Sequence, residues 1–534
     1  MPEGSPTPWS YTFIRLVSIS TTFLFKFVLK IFYGTIVVEN AHLVPERGRP
    51  CIVCANHSNS LTDALLLVTA IPSKRRNMLR LTAKATQFGQ RTFTSWLIES
   101  AGTVPIKRRK DYVDGGVDNT DAMLKLIEAL EMGDAVCLFP EGMSRYHPTI
   151  APLKTGVARL ISDVLSRNRS DPDFEISILN CSVTYMHRQH FRSDVLVTFH
   201  PPMTFRPKDN PELLEPVDFT EIRNLTTRMH QTISAGTIDS PTWDLIRTAK
   251  LAARIYAPLG TYMTLGDHVR VTRSFLEAFK SIESDSGTSE ESVSGDLPAT
   301  LCRDLKAYQD RLASYGIKDD RIRRPLARRT ILSRLLLRAV WSMFLFVICL
   351  PGLICWLPIF ITTFIAVHNF KKTGPIFDTW DEIAQYKLTY GLVSGVCVWL
   401  LAIFLSWRVG MALTGAIAVP ALMWMSLRWF EDAVAAFRAF TSLLRLLLVG
   451  KPTLRRVFEE RQQIHSRVMI LAVKTLDLPK DPESYFAAVG GKEKGRVRGT
   501  WDSSARYFSI KRRRKRDWNE TLRWYDKVDY PEDD

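Results

Sequence analysis

The chain predicts an α/β domain, a mixed sheet flanked by helices, followed by a helical middle region and a C-terminal transmembrane helical region. Three observations carry that expectation. Across residues 45–210, short apolar runs alternate with longer stretches of helical periodicity, the pattern of a sheet covered by helices. Residues 339–367 and 388–427 are dense in apolar side chains and long enough to cross a bilayer. A chain of 534 residues also exceeds what one hydrophobic core organises, so several folding units are expected.

Taken in order, residues 11–38 are apolar but interrupted by Arg15, Lys26 and Lys30. That pattern predicts an interfacial or re-entrant helix with snorkelling cations, not a cleaved leader or a simple span. Within 45–210, CIVCA (51–55), AVCLF (135–139), ISILNCSVTY (176–185) and VLVTF (195–199) read as strands, and Leu61–Ala70, Asp121–Glu131 and Thr155–Leu165 as helices. Residues 211–330 read as a helical extension that includes the amphipathic stretch Trp243–Tyr256. Inside it, SIESDSGTSEESVSGD (281–296) is acidic and rich in Ser and Gly, which predicts a disordered loop.

A run of arginines from Arg321 to Arg338 leads into the membrane region, 335–430, with apolar stretches at 339–367, 388–406 and 409–427. Pro351, Gly352 and Pro358 are expected to break the first stretch and fold it back. Trp407–Arg408 is expected to turn the other two into a hairpin, with one long broken helix as the alternative. Residues 431–534 read as basic C-terminal helices and a tail carrying KRRRKR (511–516). Retention of these basic blocks predicts that the tail and the α/β domain share the cytosolic side.

The net charge is +16. No groove-reading motif or aromatic-basic RNA signature accompanies it, which excludes nucleic acid as the expected partner. Apolar spans beside basic clusters point instead to an anionic membrane surface and an anionic substrate. The eight cysteines show no disulfide spacing, the one CxxC (Cys51, Cys54) lies in an apolar run without the second pair a zinc site needs, and most fall in apolar runs, as small buried side chains do in a reducing compartment. His187 and His190 have no third ligand nearby, so no metal is expected.

Three motifs bear chemistry. NHSNSLTDALLL (56–67) follows a strand-like run and opens a helix, which puts His57 on the turn and Asp63 in the first helical turn. An imidazole backed by a carboxylate is a general-base arrangement; the competing reading makes Ser60 and Asp63 a plain helix capping box. GTVPIKRR (102–109) ends a strand-like run in Lys107, Arg108 and Arg109, cations suited to a phosphate or simply to a solvated turn. FPEGMSR (139–145) follows the strand AVCLF, and Lys154 lies a little further on. There Gly142 permits unusual backbone, Glu141 is a candidate acceptor for substrate hydroxyls, and Ser144 and Arg145 are candidate anion donors. The absence of a GxSxG elbow and of a Walker loop removes the commonest hydrolase and NTPase readings.

In this order and spacing the motifs resemble the glycerolipid (PlsC-type) acyltransferase superfamily, over roughly 45–205. The resemblance implies that His57 is the base, Asp63 its partner, and that Lys107, Arg108, Glu141, Gly142, Ser144, Arg145 and Lys154 line the acceptor site. Two departures stand out. Five residues separate His57 from Asp63 where four are usual, and Asn180 stands where the fourth block usually has proline. The longer spacing, together with HFRSDVLVTFHPP (190–202), 239–258 and 265–279, resembles the fungal-type glycerol-3-phosphate/dihydroxyacetone-phosphate acyltransferases.

That resemblance implies acyl transfer from acyl-CoA, as co-substrate and with no cofactor, to the sn-1 hydroxyl of glycerol 3-phosphate or to dihydroxyacetone phosphate. A multi-pass location in the endoplasmic reticulum membrane, with the active site cytosolic, goes with it. Acylation of lysophosphatidate or another lysophospholipid, or transacylation, stays open. So does a membrane-shaping or transport protein built on an inactive acyltransferase fold.

Overall fold

The computed structural model describes residues 28–489 except 77–78, 92–94, 96–97, 100–101, 108–117, 189, 258–262, 286–296, 318, 320–321, 323–327, 374–381 and 409. Residues 11–27, Arg108 and Arg109, most of the acidic loop, several arginines of 321–338 and the tail with KRRRKR therefore lie outside the described residues. The described chain falls into two units. One runs to Asp239 and includes Val367–Thr389; the other comprises Ser240–Ala366 and the chain from Tyr390 onward.

The strands of the first unit are β1 (Thr35–Glu39), β2 (Cys51–Ala55), β3 (Thr82–Lys84), β4 (Val104–Ile106), β5 (Ala135–Leu138), β6 (Ile176–Tyr185), β7 (Asp194–Phe199) and β8 (Met203–Phe205). The main sheet has the order β1-β7-β6-β2-β5, with β8 beside the start of β6. β2 is parallel to β5 and β6, whereas β7 and β8 run antiparallel to β6, so the sheet is mixed. β3 and β4 form a parallel pair of their own, and a bridge from Arg80 to Val136 sets the approach to β3 alongside β5.

Both faces of the main sheet are covered, which is why its central strands read as continuous apolar runs instead of alternating ones. Period-two alternation splits them between two cores. Cys51, Val53 and Ala55 of β2 pack with α1 (Leu61–Ala70), while Ile52 and Cys54 pack with α2 (Thr120–Glu131), α3 (Gly156–Arg167) and α4 (Phe219–Ala235).

The structure revises two sequence expectations here. The described end of the 11–38 segment is not an interfacial helix. A single helical turn at 28–32 buries Leu29, Phe32 and Tyr33 in the first core, and β1 pairs with β7 at the sheet edge. Its apolar residues serve the α/β core, and the backbone of Thr35–Glu39 is satisfied by strand pairing. The domain also ends later than residue 210: α4 buries Ile222, Leu225, Met229 and Ile233 in the second core, so the unit extends to Asp239.

The second unit is helical. It contains α5 (Trp243–Tyr256), α6 (Leu265–Asp285), α7 (Leu297–Ser314), most of α8 (Arg328–Thr373) and α9 (Ile383–Trp407), then α10 (Ala412–Val449), α11 (Lys451–Lys474) and α12 (Pro482–Val489). A buried ion pair, Arg461 to both oxygens of Asp319 at 2.7 and 3.0 Å, ties α11 to the loop after α7. α8 and α9 are long and apolar enough to cross a membrane; α10 reaches that standard only together with α11, from which it is bent by 106°. Large side chains such as Met343, Ile354, Phe364, Leu401 and Phe404 stand exposed, as lipid-facing residues do.

The expected break in 339–367 does not occur, because α8 runs unbroken through Pro351 and Pro358. Gly352 serves a close helix approach instead: a Cβ there would fall on the Ser426 side chain. One turn on, Trp356 Nε1 donates to the Met423 carbonyl at 2.9 Å. A neighbouring helix packed this tightly supports a helix through its prolines. The expected turn near Trp407–Arg408 is present. Trp399 Nε1 donates to Ala416 O at 3.0 Å across the hairpin, and Gly415 leaves room for Ser406.

Candidate active site

Parallel strands end on one edge, and loops at the carboxyl ends of such strands are where α/β sheets place ligands. β2 leads into Asn56–His57, β5 into Phe139–Gly142 and β6 into Met186–Arg188. β3 delivers Lys84 and β4 delivers Lys107; their register pairs Lys84 with Ile106, so the two lysines leave neighbouring strand ends.

His57 is partly exposed, and its ring stacks on Phe139 with centroids 4.2 Å apart. Its Nδ1 lies 2.9 Å from Asp63 Oδ2. Asp63 is fully buried. Its Oδ2 also accepts from the backbone N–H groups of Ser58 (2.9 Å) and Asn59 (2.7 Å), and its Oδ1 accepts from the Tyr185 hydroxyl. Burial, and then the Asp63 charge, push the Tyr185 phenol well above its usual range, so it stays a donor. A buried carboxylate needs such donors to remain charged. The capping-box alternative fails, because Ser60 makes no side-chain capping bond and Asp63 is held by residues upstream of Ser60. With Nδ1 engaged by Asp63, Nε2 is the ring nitrogen left to meet a hydroxyl.

Glu141 was expected to face substrate, and the structure corrects this. It is buried, with Oε1 accepting from the His57 N–H (2.6 Å) and Oε2 from the Ala151 N–H (3.0 Å). Burial pushes its carboxyl above the usual range, against the opposing pull of those two N–H groups. The side chain braces the His57 turn against the loop after β5. Glu141→Gln should therefore leave one N–H facing an amide NH₂, at a stability cost of about 1–3 kcal/mol. Thermal unfolding should fall while acceptor KM holds; a raised acceptor KM in a fully stable variant would restore the substrate-contact reading.

Of the remaining predicted residues, Gly142, Arg145 and Lys154 lie beside this turn. Gly142 has φ +73°, and a Cβ there would lie 2.5 Å from Lys154 Nζ, so the lysine side chain runs directly over the glycine. The Arg145 N–H reaches the His57 carbonyl at 3.4 Å, and Arg145 Nε is buried without a hydrogen-bond partner among the described residues. Ser144 is half-buried in the same loop. Asn119 holds the Lys107 backbone through two hydrogen bonds, at 2.8 and 2.9 Å, while the lysine side chain is exposed. Arg108 lies outside the described residues.

Sequence reasoning missed Lys84, Tyr185 and Phe139. Phe139 sat in view, one residue before the Pro-Glu-Gly turn; the other two depend on strand register and pairing, which no local motif announces. Burial raises the thiols of Cys51, Cys54, Cys137 and Cys181, which leaves no nucleophilic cysteine in this core. Among the described residues no cluster of His, Cys, Asp and Glu is arranged to hold a metal.

Residues 35–183, from β1 into β6, match the acyltransferase family. Residues 248–374 match a second family, the glycerol-3-phosphate acyltransferase 2 C-terminal domain, so the chain couples the two.

Among curated proteins, glycerol-3-phosphate O-acyltransferase 2 of Saccharomyces cerevisiae is 24% identical over 290 residues, 52% of this chain and 37% of the yeast protein. Glycerol-3-phosphate O-acyltransferase 1 of the same yeast is 23% identical over 289 residues, 52% of this chain and 36% of its own. An uncharacterized acyltransferase of Schizosaccharomyces pombe is 23% identical over 384 residues, 67% of this chain and 54% of its own. The matches thus span from about a third to about half of those relatives. A crystal structure of the 1-acyl-sn-glycerophosphate acyltransferase PlsC from Thermotoga maritima aligns at 17% identity and a TM-score of 0.29, covering 42% of this chain and 89% of that one.

Proposed function

We propose that this chain transfers a fatty acyl group from acyl-CoA to the sn-1 hydroxyl of glycerol 3-phosphate, to dihydroxyacetone phosphate, or to both. The observation that carries the proposal is the His57–Asp63 pair, held at the strand-end edge with Arg145 and Lys154 on the adjoining loop. The two yeast relatives, named for glycerol 3-phosphate, support the acceptor.

His57 Nε2 takes the acceptor hydroxyl proton as its oxygen attacks the thioester carbonyl, and Asp63 holds the Nδ1–H tautomer and stabilises the imidazolium. The tetrahedral intermediate collapses with loss of the CoA thiolate, which recovers the proton from His57. The buried Arg145 Nε–H and the Lys154 ammonium supply charge-assisted donors for the acceptor phosphate. The purified protein, given oleoyl-CoA with glycerol 3-phosphate, dihydroxyacetone phosphate or lysophosphatidate in parallel, tests this reading. Turnover on lysophosphatidate alone would replace it with the second acylation.

The same proposal places the chain in the endoplasmic reticulum membrane with the acyltransferase domain cytosolic. Ala384 and Leu388, at the start of α9, lie in the acyltransferase core, so α8 and α9 meet on that domain's own side, and the basic block 511–516 is expected to keep the tail there as well. A C-terminal tag on sealed microsomes should then be digested by added protease together with the acyltransferase domain; protection of the tag alone would mean three crossings.

A further inference from the structure

Helix α1, which carries Asp63, begins without a cap of its own. Ser60 lies at φ 47° and bonds to no helix N–H through its side chain, while Asp63 is committed to residues upstream. The open end is closed by a residue 325 positions away. Gln385, in the first turn of α9, presents Oε1 to the Ser60 hydroxyl at 2.9 Å and to the Leu61 N–H at 3.4 Å. The contact rests on packed neighbours: Ala384 and Leu388 belong to the same buried core as Leu65 and Leu66 of α1.

A non-glycine residue at positive φ persists only where its surroundings over-determine it. Ser60 lies between His57 and Asp63, so whatever holds Ser60 also sets the distance between imidazole and carboxylate. We propose that Gln385 is a positioning residue for the catalytic turn, capping α1 from a separate helix and so keeping Asp63 in hydrogen-bond register with His57. The inference rests on the proposed role of His57. It also gives α9, a helix long enough to span a membrane, a direct part in shaping the site.

The test uses the full-length protein in lipid nanodiscs. Gln385→Leu keeps the size and removes the acceptor oxygen; it should lower kcat roughly ten- to a hundredfold with both KM values essentially unchanged. Gln385→Glu retains an acceptor and should restore most of the rate. Ser60→Ala removes the partner hydroxyl without altering α9, and combined with Gln385→Leu it should do little more than the worse single change. Labelling of His57 by diethylpyrocarbonate, read by mass spectrometry, needs no turnover. It should speed up in Gln385→Leu and in Ser60→Ala but not in Gln385→Glu.

Wild-type kcat and wild-type labelling in Gln385→Leu would overturn the inference, as would equal defects in the Leu and Glu variants or additive effects with Ser60→Ala. Should Gln385→Leu fail to fold, labelling in Ser60→Ala decides. A wild-type protein that acylates none of the three acceptors would defeat the proposed function, while the labelling pattern would still judge the cap.

Discussion

His57→Ala should reduce acyl transfer by about a hundred- to ten-thousand-fold, the usual contribution of a positioned general base. Thermal unfolding should change little, since the ring is partly exposed and stacks on Phe139. Asp63→Asn should produce a loss of the same order by a different route. Oδ2 receives the His57 ring and two backbone N–H groups, and Oδ1 receives the Tyr185 hydroxyl. An amide has one acceptor oxygen for those four donors, so either the His57 tautomer or the turn is lost. Near-normal turnover in Asp63→Asn would remove Asp63 from the mechanism and leave it a purely structural acceptor. Comparing rates with melting temperatures separates the two cases.

Gly142→Ala should raise the acceptor KM about ten- to a hundredfold, the equivalent of one lost charge-assisted hydrogen bond of about 1.5–3 kcal/mol. The added Cβ would lie 2.5 Å from Lys154 Nζ, and φ +73° disfavours any side chain there. The flexible end of Lys154 can move away, and in moving it withdraws its ammonium from the site. Lys154→Ala should therefore reproduce the defect, and the double variant should add little to either. If the KM for acyl-CoA rises instead, Lys154 serves the CoA phosphates, and the acceptor phosphate rests on Arg145 and the lysines at the ends of β3 and β4.

The His57–Asp63 pair was legible because it lies within seven consecutive residues at a strand-to-helix junction, where spacing alone puts both groups on one turn. Gly142 was legible for a related reason, since a glycine after Pro-Glu at a strand end signals a special backbone. Glu141 was misread because a carboxylate in a turn at a strand end reads as an acceptor for substrate hydroxyls. Its two backbone partners, His57 and Ala151, are distant in sequence or silent in side-chain identity. Tyr185 and Gln385 had no local signature, because each meets the turn only after the chain has returned from 122 and 325 positions away.

The sequence by itself determined the α/β alternation, the buried central strands, α1 and α5 to the residue, and the imidazole–carboxylate turn. All of these follow from periodicity and from contacts a few residues apart. Tertiary structure decided the rest. Thr35–Glu39, rich in β-branched residues, became a strand on the edge that β7 offered it, where the apolar run 11–38 as a whole had read as a helix. α8 runs whole through two prolines, and Gly352 lets a neighbouring helix pack against it beside the first. The helix start after His57 is capped by Gln385 because a distant helix supplies the acceptor that Ser60 and Asp63 do not. In each case a backbone group or a face left open by local structure was satisfied by a partner far along the chain, and local sequence carries no record of which partner arrives.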